Sequence, residues 1–232
     1  MTDVIPAHAP VRIPVNDGRT APTSTFPVRR IFCVGRNFAD HAKEMGATAP
    51  ASKAERGDPV LFTKPADAIV IDGVVPYPSA TNDLHHEVEL VVALGEGARV
   101  FGYAVGLDLT RRDLQSAAKS KGLPWDTGKA FDHSAPISHI VPAAQVGDLA
   151  PRTLSLTVNG TLRQQSTLDQ MIWDVPDVLE ALARYFTLQP GDLVFMGTPA
   201  GVAALQPGDV FSARLDDAIA LDGRIAPPLP TR

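Results

Sequence analysis

The run His85-His86-Glu87-Val88-Glu89-Leu90 places two carboxylates two positions apart, with apolar residues between and after them. In an extended strand, residues two apart project from the same face. Glu87 and Glu89 then point together, while Val88 and Leu90 point the other way. Two like charges on one face of a buried strand repel and lose hydration, and a divalent cation is the usual compensation. A solvated face of an edge strand would carry the same pattern without a metal. A third acid, Asp108, sits in the otherwise apolar run Gly102 to Leu109, where an unpaired carboxylate is costly. Its alternative use is to cap the helix that follows. Three carboxylates with room for water and a chelating ligand match the all-oxygen, octahedral demand of one Mg²⁺ or Mn²⁺ ion.

Further residues offer proton-transfer and polar chemistry. His41 and Glu44 are three apart in a helical stretch, so they share a face, and the carboxylate can orient the imidazole and raise its basicity. Without a metal nearby they would be an ordinary surface pair. Lys129 follows Gly128 and could stabilise a developing enolate or oxyanion beside a cation, although most lysines are simply solvated. Gly197-Thr198-Pro199 follows the apolar run Leu193 to Met196 and sets a hydroxyl at a strand end, unless it is a plain turn. Cys33 lies inside an apolar strand, where a thiolate is penalised. His85 and His86 are candidates to support the carboxylates from behind.

The elements that must position these groups are mostly short strands. Val11, Ile13 and Val15 alternate ahead of an Asn16-Asp17-Gly18 turn, and Thr20 to Thr25 reads as a linker. Residues 1–27 thus read as an N-terminal extension, with a strand pair at most, ahead of a catalytic domain over 28–232. Residues 30–34 form a buried strand ending at Gly35. Residues 37–46 form a helix capped by Asn37 and ended by Gly46. The small polar stretch 47–58 reads as a mobile loop able to serve as a lid. Strands follow over 60–62, 68–71, 88–94 and 103–109. A helix over 110–121 is capped by Thr110 with Asp113 in the capping-box position. Leu154, Leu156 and Val158 lead into an Asn159-Gly160 hairpin turn, and a helix spans 175–187 with Pro176 in its first turn. About ten strands and three helices, not regularly interleaved, disfavour a doubly wound sheet. They indicate a mostly β, α+β fold: a mixed β roll or barrel with helical excursions.

Bulk properties narrow the function. The chain has 232 residues, 44% of them hydrophobic, and a formal charge of −5 from 21 Lys and Arg against 26 Asp and Glu. That balance argues against a nucleic-acid partner and leaves room for a small anionic substrate at a local basic cluster. One cysteine excludes a disulfide scaffold or a thiolate zinc site and accords with a reducing compartment. Pro6, His8 and Pro10 interrupt the start, so no signal peptide is expected. No apolar run reaches a membrane span. A cytoplasmic location is expected.

Residues 33–46 (CVGRNFADHAKEMG), 85–90 (HHEVEL), 106–113 (GLDLTRRD), 121–129 (KGLPWDTGK) and 197–199 (GTP) together resemble the fumarylacetoacetate hydrolase family, and within it the acylpyruvate hydrolases, fumarylpyruvate hydrolases of gentisate breakdown above all. The resemblance runs over roughly residues 28 to 215. It implies a mostly β roll and a homodimer. It implies Glu87, Glu89 and Asp108 as metal ligands, a water-activating His41-Glu44 dyad on a lid helix, and Lys129 beside the bound substrate. It places Gln115 and Thr198 around a pyruvate end, and Arg36 and Lys64 as basic groups near the pocket. Only eighteen residues separate Glu89 from Asp108, a shorter connection than the resemblance implies, with Gly95 to Val100 too short for a helix.

The function expected from these residues is metal-dependent hydrolysis of a carbon–carbon bond in a 3-acylpyruvate, foremost fumarylpyruvate to fumarate and pyruvate. In that reading the 2-oxo acid end chelates the ion, water deprotonated by His41 attacks the distal carbonyl, and Lys129 shares the charge of the leaving enolate. Decarboxylation of oxaloacetate, or decarboxylation or isomerisation of another oxo-diacid, needs the same site without the attacking water. A non-catalytic binding protein on this fold would require loss of one of these groups, and all are present.

Overall fold

The computed structural model describes residues 4–18, 22–44 and 55–230. Gly46 and most of the expected lid, 47–58, lie outside them. Among the described residues there are eighteen strands, several of only two residues, and five short α-helices. The mixed, β-dominated architecture expected from the sequence is what forms.

Two sheets dominate. A six-stranded sheet runs in the order Val141–Pro142, Val100–Leu107, Val88–Leu94, Asp192–Phe195, Arg30–Gly35, Val60–Lys64. Its strands pair antiparallel except for the parallel Asp192–Phe195 and Arg30–Gly35 pair. A five-stranded sheet runs Thr161–Thr167, Thr153–Val158, Val210–Leu215, Ile219–Ala226, Val74–Pro76. One face of the six-stranded sheet, with Val34, Leu90, Val92 and Val105, joins Leu154, Leu156, Phe211 and Leu221 of the other sheet in one apolar core. Its opposite face, with Ile31, Cys33, Val91 and Phe195, packs on Ile13, Phe26, Ile137 and Ile140. Covered on both sides, Val88–Leu94 is buried at every position. This removes the edge-strand alternative for Glu87 and Glu89.

Local signals explain several elements. Asn159 and Gly160 both have positive φ (51° and 74°) and close the hairpin between Thr153–Val158 and Thr161–Thr167, as an Asn-Gly turn does. The 175–187 helix forms over Val175–Ala183, with Asp174 as N-cap in a capping box with Asp177. Arg12–Val15 pairs with Ser24–Pro27, so Ser24 and Thr25 belong to a strand rather than a linker. The connection after Leu94 is a single 3-10 turn, Glu96–Ala98, with Gly97 at φ 63°, and the hairpin closes without a helix.

Two expected caps are absent. Asn37 does not cap its helix, which begins at Ala39. Its amide instead donates to the carbonyls of Trp173 and Met196 (2.9 and 2.7 Å) and accepts from the Trp173 N–H (2.7 Å). Thr110 does not cap the Arg112–Ser120 helix, because its hydroxyl lies in a two-residue strand paired with His85 and accepts from Lys129 Nζ at 2.7 Å.

Candidate metal centre

Glu87, Glu89 and Asp108 converge at one end of the Val88–Leu94 and Val100–Leu107 hairpin. Glu89 lies opposite Gly106 in the ladder. The Asp108 N–H donates to the Glu87 carbonyl at 2.8 Å, one residue beyond the Val88 and Leu107 pair. One carboxylate oxygen from each of the three lies within 4.8 Å of the others, and all three residues are buried. Asp108 is therefore a member of the cluster and not a helix cap.

Cations surround two of the three acids. Lys129 Nζ contacts Glu87 Oε2 at 2.8 Å and Asp108 Oδ2 at 2.5 Å. Lys64 Nζ lies 2.8 Å from Asp108 Oδ1, and Arg112 Nη2 lies 2.5 Å from Glu87 Oε1. Burial alone would push the Glu87 carboxyl up, but Lys129 and Arg112 outweigh it and hold Glu87 well below the usual carboxylate range. Burial lowers Lys129, and Asp108 and Glu87 more than reverse that and hold it cationic. Among the described residues, no Lys or Arg pairs with Glu89. It accepts the Gly197 N–H at 2.7 Å, and burial, then Asp108 and Glu87, push its carboxyl well above its ordinary value. Three convergent oxygen donors, one of them short of positive charge, fit a single divalent cation. Gly197 can present its N–H because it holds φ 90°, and a Cβ there would stand 2.6 Å from the Asn37 Cβ.

The cavity over the cluster is lined by Arg36, His41, Arg112, Gln115, Lys119, Lys129 and Thr198 among others. His41 Nδ1 lies 3.1 Å from Glu44 Oε2, in a helix over Ala39–Glu44. Glu44 also accepts the Gly201 N–H at 3.1 Å. Arg36 is exposed and left-handed at φ 60°. Lys129 sits in a short helix, Asp126–Lys129. Lys64 is not among the lining residues. Its buried ammonium serves Asp108, the Leu109 carbonyl at 3.2 Å and the Lys129 carbonyl.

Two cavity-lining residues, Arg112 and Lys119, and one behind Thr198, Gln164, carried no clear signal in the sequence. Arg112 lies in the 106–113 motif, but nothing in the sequence separates it from Arg111; it holds Glu87 and also the Gln115 Oε1 at 2.6 Å. Lys119 stacks over Trp125 at 4.8 Å. Gln164 is buried on a strand whose neighbours are exposed. Its only sequence signal was the resumption of a strand after the hairpin turn. Cys33 is fully buried, and burial raises its thiol well above the ordinary value.

This fold and acidic cluster define a metal-centred enzyme scaffold, and the family profile for the fumarylacetoacetate (FAA) hydrolase C-terminal region matches residues 30–226. The chain belongs to the fumarylacetoacetate hydrolase family. It is 42% identical over 203 residues to oxaloacetate tautomerase YcgM of Escherichia coli (strain K12), covering 82% of this chain and 90% of that one. It is 39% identical over 195 residues to the mitochondrial oxaloacetate decarboxylase of Dictyostelium discoideum, covering 79% and 87%. The crystal structure of fumarylpyruvate hydrolase from Pseudomonas aeruginosa in complex with Mn²⁺ and pyruvate superposes with a TM-score of 0.88 at 44% identity, covering 97% and 99%.

The expected cytoplasmic location is corrected by these comparisons, since most of the similar curated relatives are named as mitochondrial proteins. A lone reduced cysteine does not distinguish one reducing compartment from another. Among the described residues, no helix is long and apolar enough to cross a membrane.

Proposed function

We propose that the chain is a metal-dependent enzyme acting on a small oxo-diacid, with enol–keto tautomerisation of oxaloacetate as its reaction. Decarboxylation of oxaloacetate is the nearest variant at the same site. The observation that carries this reading is the placement of proton-handling groups around the acidic cluster. His41, 3.1 Å from its partner Glu44, lines the cavity over the cluster, and Lys129 is buried against Glu87 and Asp108. The likeness to an oxaloacetate tautomerase and an oxaloacetate decarboxylase supports this choice of substrate.

A divalent cation held by Glu87, Glu89 and Asp108 supplies Lewis acidity toward the oxygens of a chelating 2-oxo acid. The side chains do the rest. Tautomerisation moves one proton between the enol oxygen and the carbon adjacent to the one that bears it, as the double bond shifts between C=C and C=O. His41, with Nδ1 held by Glu44, exchanges that proton through Nε2. Lys129 stays cationic and stabilises the enolate charge. Gln115 and Thr198 bind the 2-oxo acid end. Arg36, together with Lys119, supplies positive charge for the second carboxylate of a diacid. Lys64 neutralises Asp108 from behind. The reading includes a homodimer, for which light scattering on the purified protein is the check.

A second reading, hydrolysis of fumarylpyruvate or another 3-acylpyruvate, is favoured by the His41-Glu44 dyad, which could equally activate a water, and by the likeness to a fumarylpyruvate hydrolase. Purified protein with Mg²⁺ or Mn²⁺ should be assayed for decay of enol-oxaloacetate, release of pyruvate from oxaloacetate, and cleavage of fumarylpyruvate. Faster enol decay than the metal alone gives supports the first reading. A kcat/KM for fumarylpyruvate exceeding that for oxaloacetate by at least about tenfold would replace it with the second. No turnover of any of the three would sink both.

A further inference from the structure

Gln164 is 1% exposed, on a strand where Thr161, Leu162, Arg163 and Gln165 are all exposed. A β-bulge explains the contrast. In the pairing with Thr153–Val158, Leu156 lies opposite Gln164 and Thr157 opposite Leu162, which leaves Arg163 as the extra residue. Bulges of this kind re-aim a side chain, often beside active sites. Here the bulge turns Gln164 inward. It also presses the Arg163 carbonyl against Gly201, where any Cβ would collide with it. Gly201 is the residue whose N–H holds Glu44.

The inward amide makes four hydrogen bonds. Oε1 accepts from the Val88 N–H at 3.1 Å and from His86 Nδ1 at 2.8 Å. Nε2 donates to the Pro199 carbonyl at 2.8 Å and to Thr198 Oγ1 at 2.8 Å. The backbone partners fix which end is which, because Val88 N–H can only donate and the Pro199 carbonyl can only accept. Two consequences follow. His86 must carry its hydrogen on Nδ1. Thr198 Oγ1 must accept from Gln164, so its own O–H remains to donate elsewhere. Thr198 lines the cavity over the acidic cluster, and among the described residues its hydroxyl has no other hydrogen bond.

We propose that Gln164 is a positioning residue that sets Thr198 as a hydrogen-bond donor toward an anionic oxygen of the bound ligand. Through Val88 it also ties that hydroxyl to the strand that carries Glu89 and follows directly on Glu87. The assignment rests on the reading that the cavity takes a metal-chelating 2-oxo acid or a similar dicarboxylate. It predicts which ligands profit: those presenting a charged acceptor, a carboxylate or enolate oxygen, at Thr198.

The test is a double-mutant cycle with oxalate as probe, its affinity measured by calorimetry at saturating Mn²⁺. Thr198→Val should weaken oxalate by about 10- to 100-fold, the value of a hydrogen bond to a charged group. Gln164→Met should weaken it by about tenfold. The double variant should be no weaker than Thr198→Val alone, because Gln164 acts through the hydroxyl. A purely structural role for Gln164 would instead give losses that add, and additive losses overturn the proposal. So does unchanged oxalate affinity in Gln164→Met. If Gln164→Met does not fold, the Thr198 pair decides. Thr198→Ser should keep the wild-type affinity that Thr198→Val loses, and a Thr198→Val protein that binds oxalate like wild type overturns the proposal. A wild-type protein that binds no Mn²⁺ would overturn the metal-site reading itself, and this assignment with it.

Discussion

Asp108 and Glu87 face each other one residue beyond the Val88 and Leu107 pair, joined by the Asp108 N–H to Glu87 carbonyl bond at 2.8 Å. The hairpin ladder thus delivers two carboxylates to one point, and Glu89 arrives from two residues along the same strand. Lys129 bridges the facing pair, so the acids are not left to repel one another. Most of the unbalanced charge falls on Glu89. The cluster is built with two carboxylates compensated by the protein and a third that needs an external cation.

Replacing Glu89 by Gln keeps the shape and removes that charge. Divalent-cation affinity should fall by more than the roughly 10- to 100-fold cost of losing an outer-shell partner of a metal site. The metal-free protein should be no less stable, because a buried carboxylate beside two others has been removed. Mn²⁺ titration by calorimetry and thermal unfolding with and without Mn²⁺ check both halves. A strong Mn²⁺-dependent rise in Tm that survives in Glu89→Gln would count against Glu89 as a ligand.

Lys64 has the opposite signature. It is buried against Asp108 Oδ1 at 2.8 Å and does not line the cavity. Lys64→Met should destabilise the metal-free protein by about 1–3 kcal/mol, the cost of losing one charged partner of a buried carboxylate that Lys129 still holds through Oδ2. Saturating Mn²⁺ should recover part of that loss, because a ligand binding only the folded state stabilises it by mass action. Urea unfolding at zero and saturating Mn²⁺ measures both values. Equal midpoints for variant and wild type in the absence of metal would show that the pair carries no stability.

Much of this centre was legible because its signals are local. Glu87 and Glu89 share a face by strand periodicity, and His41 and Glu44 meet by helix periodicity. Asp108 was conspicuous as a charge in an apolar run. Lys64, Arg112 and Gln164 take their places through long-range pairing that no local rule encodes. Lys64 reaches Asp108 across forty-four residues of chain. Gln164 depends on a single extra residue in a ladder, and its strand shows no pattern of its own that marks the bulge. The Asn37 and Thr110 caps failed for a related reason. Both are good capping residues locally, but each side chain is claimed by partners distant in sequence, Trp173 and Met196 for one and Lys129 for the other. Tertiary demand overrode local preference.

The His41-Glu44 pair separates chemistry from binding. His41→Ala should lower turnover of the true substrate by about 10²- to 10⁴-fold, the usual contribution of a general acid–base group. Mn²⁺ affinity should change little, since His41 is not one of the three converging carboxylates. Glu44→Gln should give a smaller loss, because the amide can still contact the imidazole but not stabilise its cation. Kinetics on whichever of enol-oxaloacetate, oxaloacetate and fumarylpyruvate the enzyme turns over, alongside Mn²⁺ titration of each variant, check this. Full turnover in His41→Ala would remove His41 from the mechanism.

Lys119 gives the site a pH dependence of its own. Its ammonium stands over Trp125, and burial, reinforced by Arg112 and Arg36, lowers its pKa to about 8. Below that value Lys119 is cationic and attracts an anionic ligand; above it the group is neutral and the attraction is lost. Affinity for an anionic ligand such as oxalate should therefore decline as pH rises through about 8. Lys119→Arg keeps its charge throughout this range and should hold the affinity flat where wild type declines. Lys119→Met should bind more weakly at neutral pH and show no such decline. Oxalate affinity at saturating Mn²⁺, followed across this range for the three proteins, makes the comparison. If the Lys119→Met profile keeps the wild-type slope, the titrating group is another one, and Lys119 takes no part in drawing the anion into the cavity.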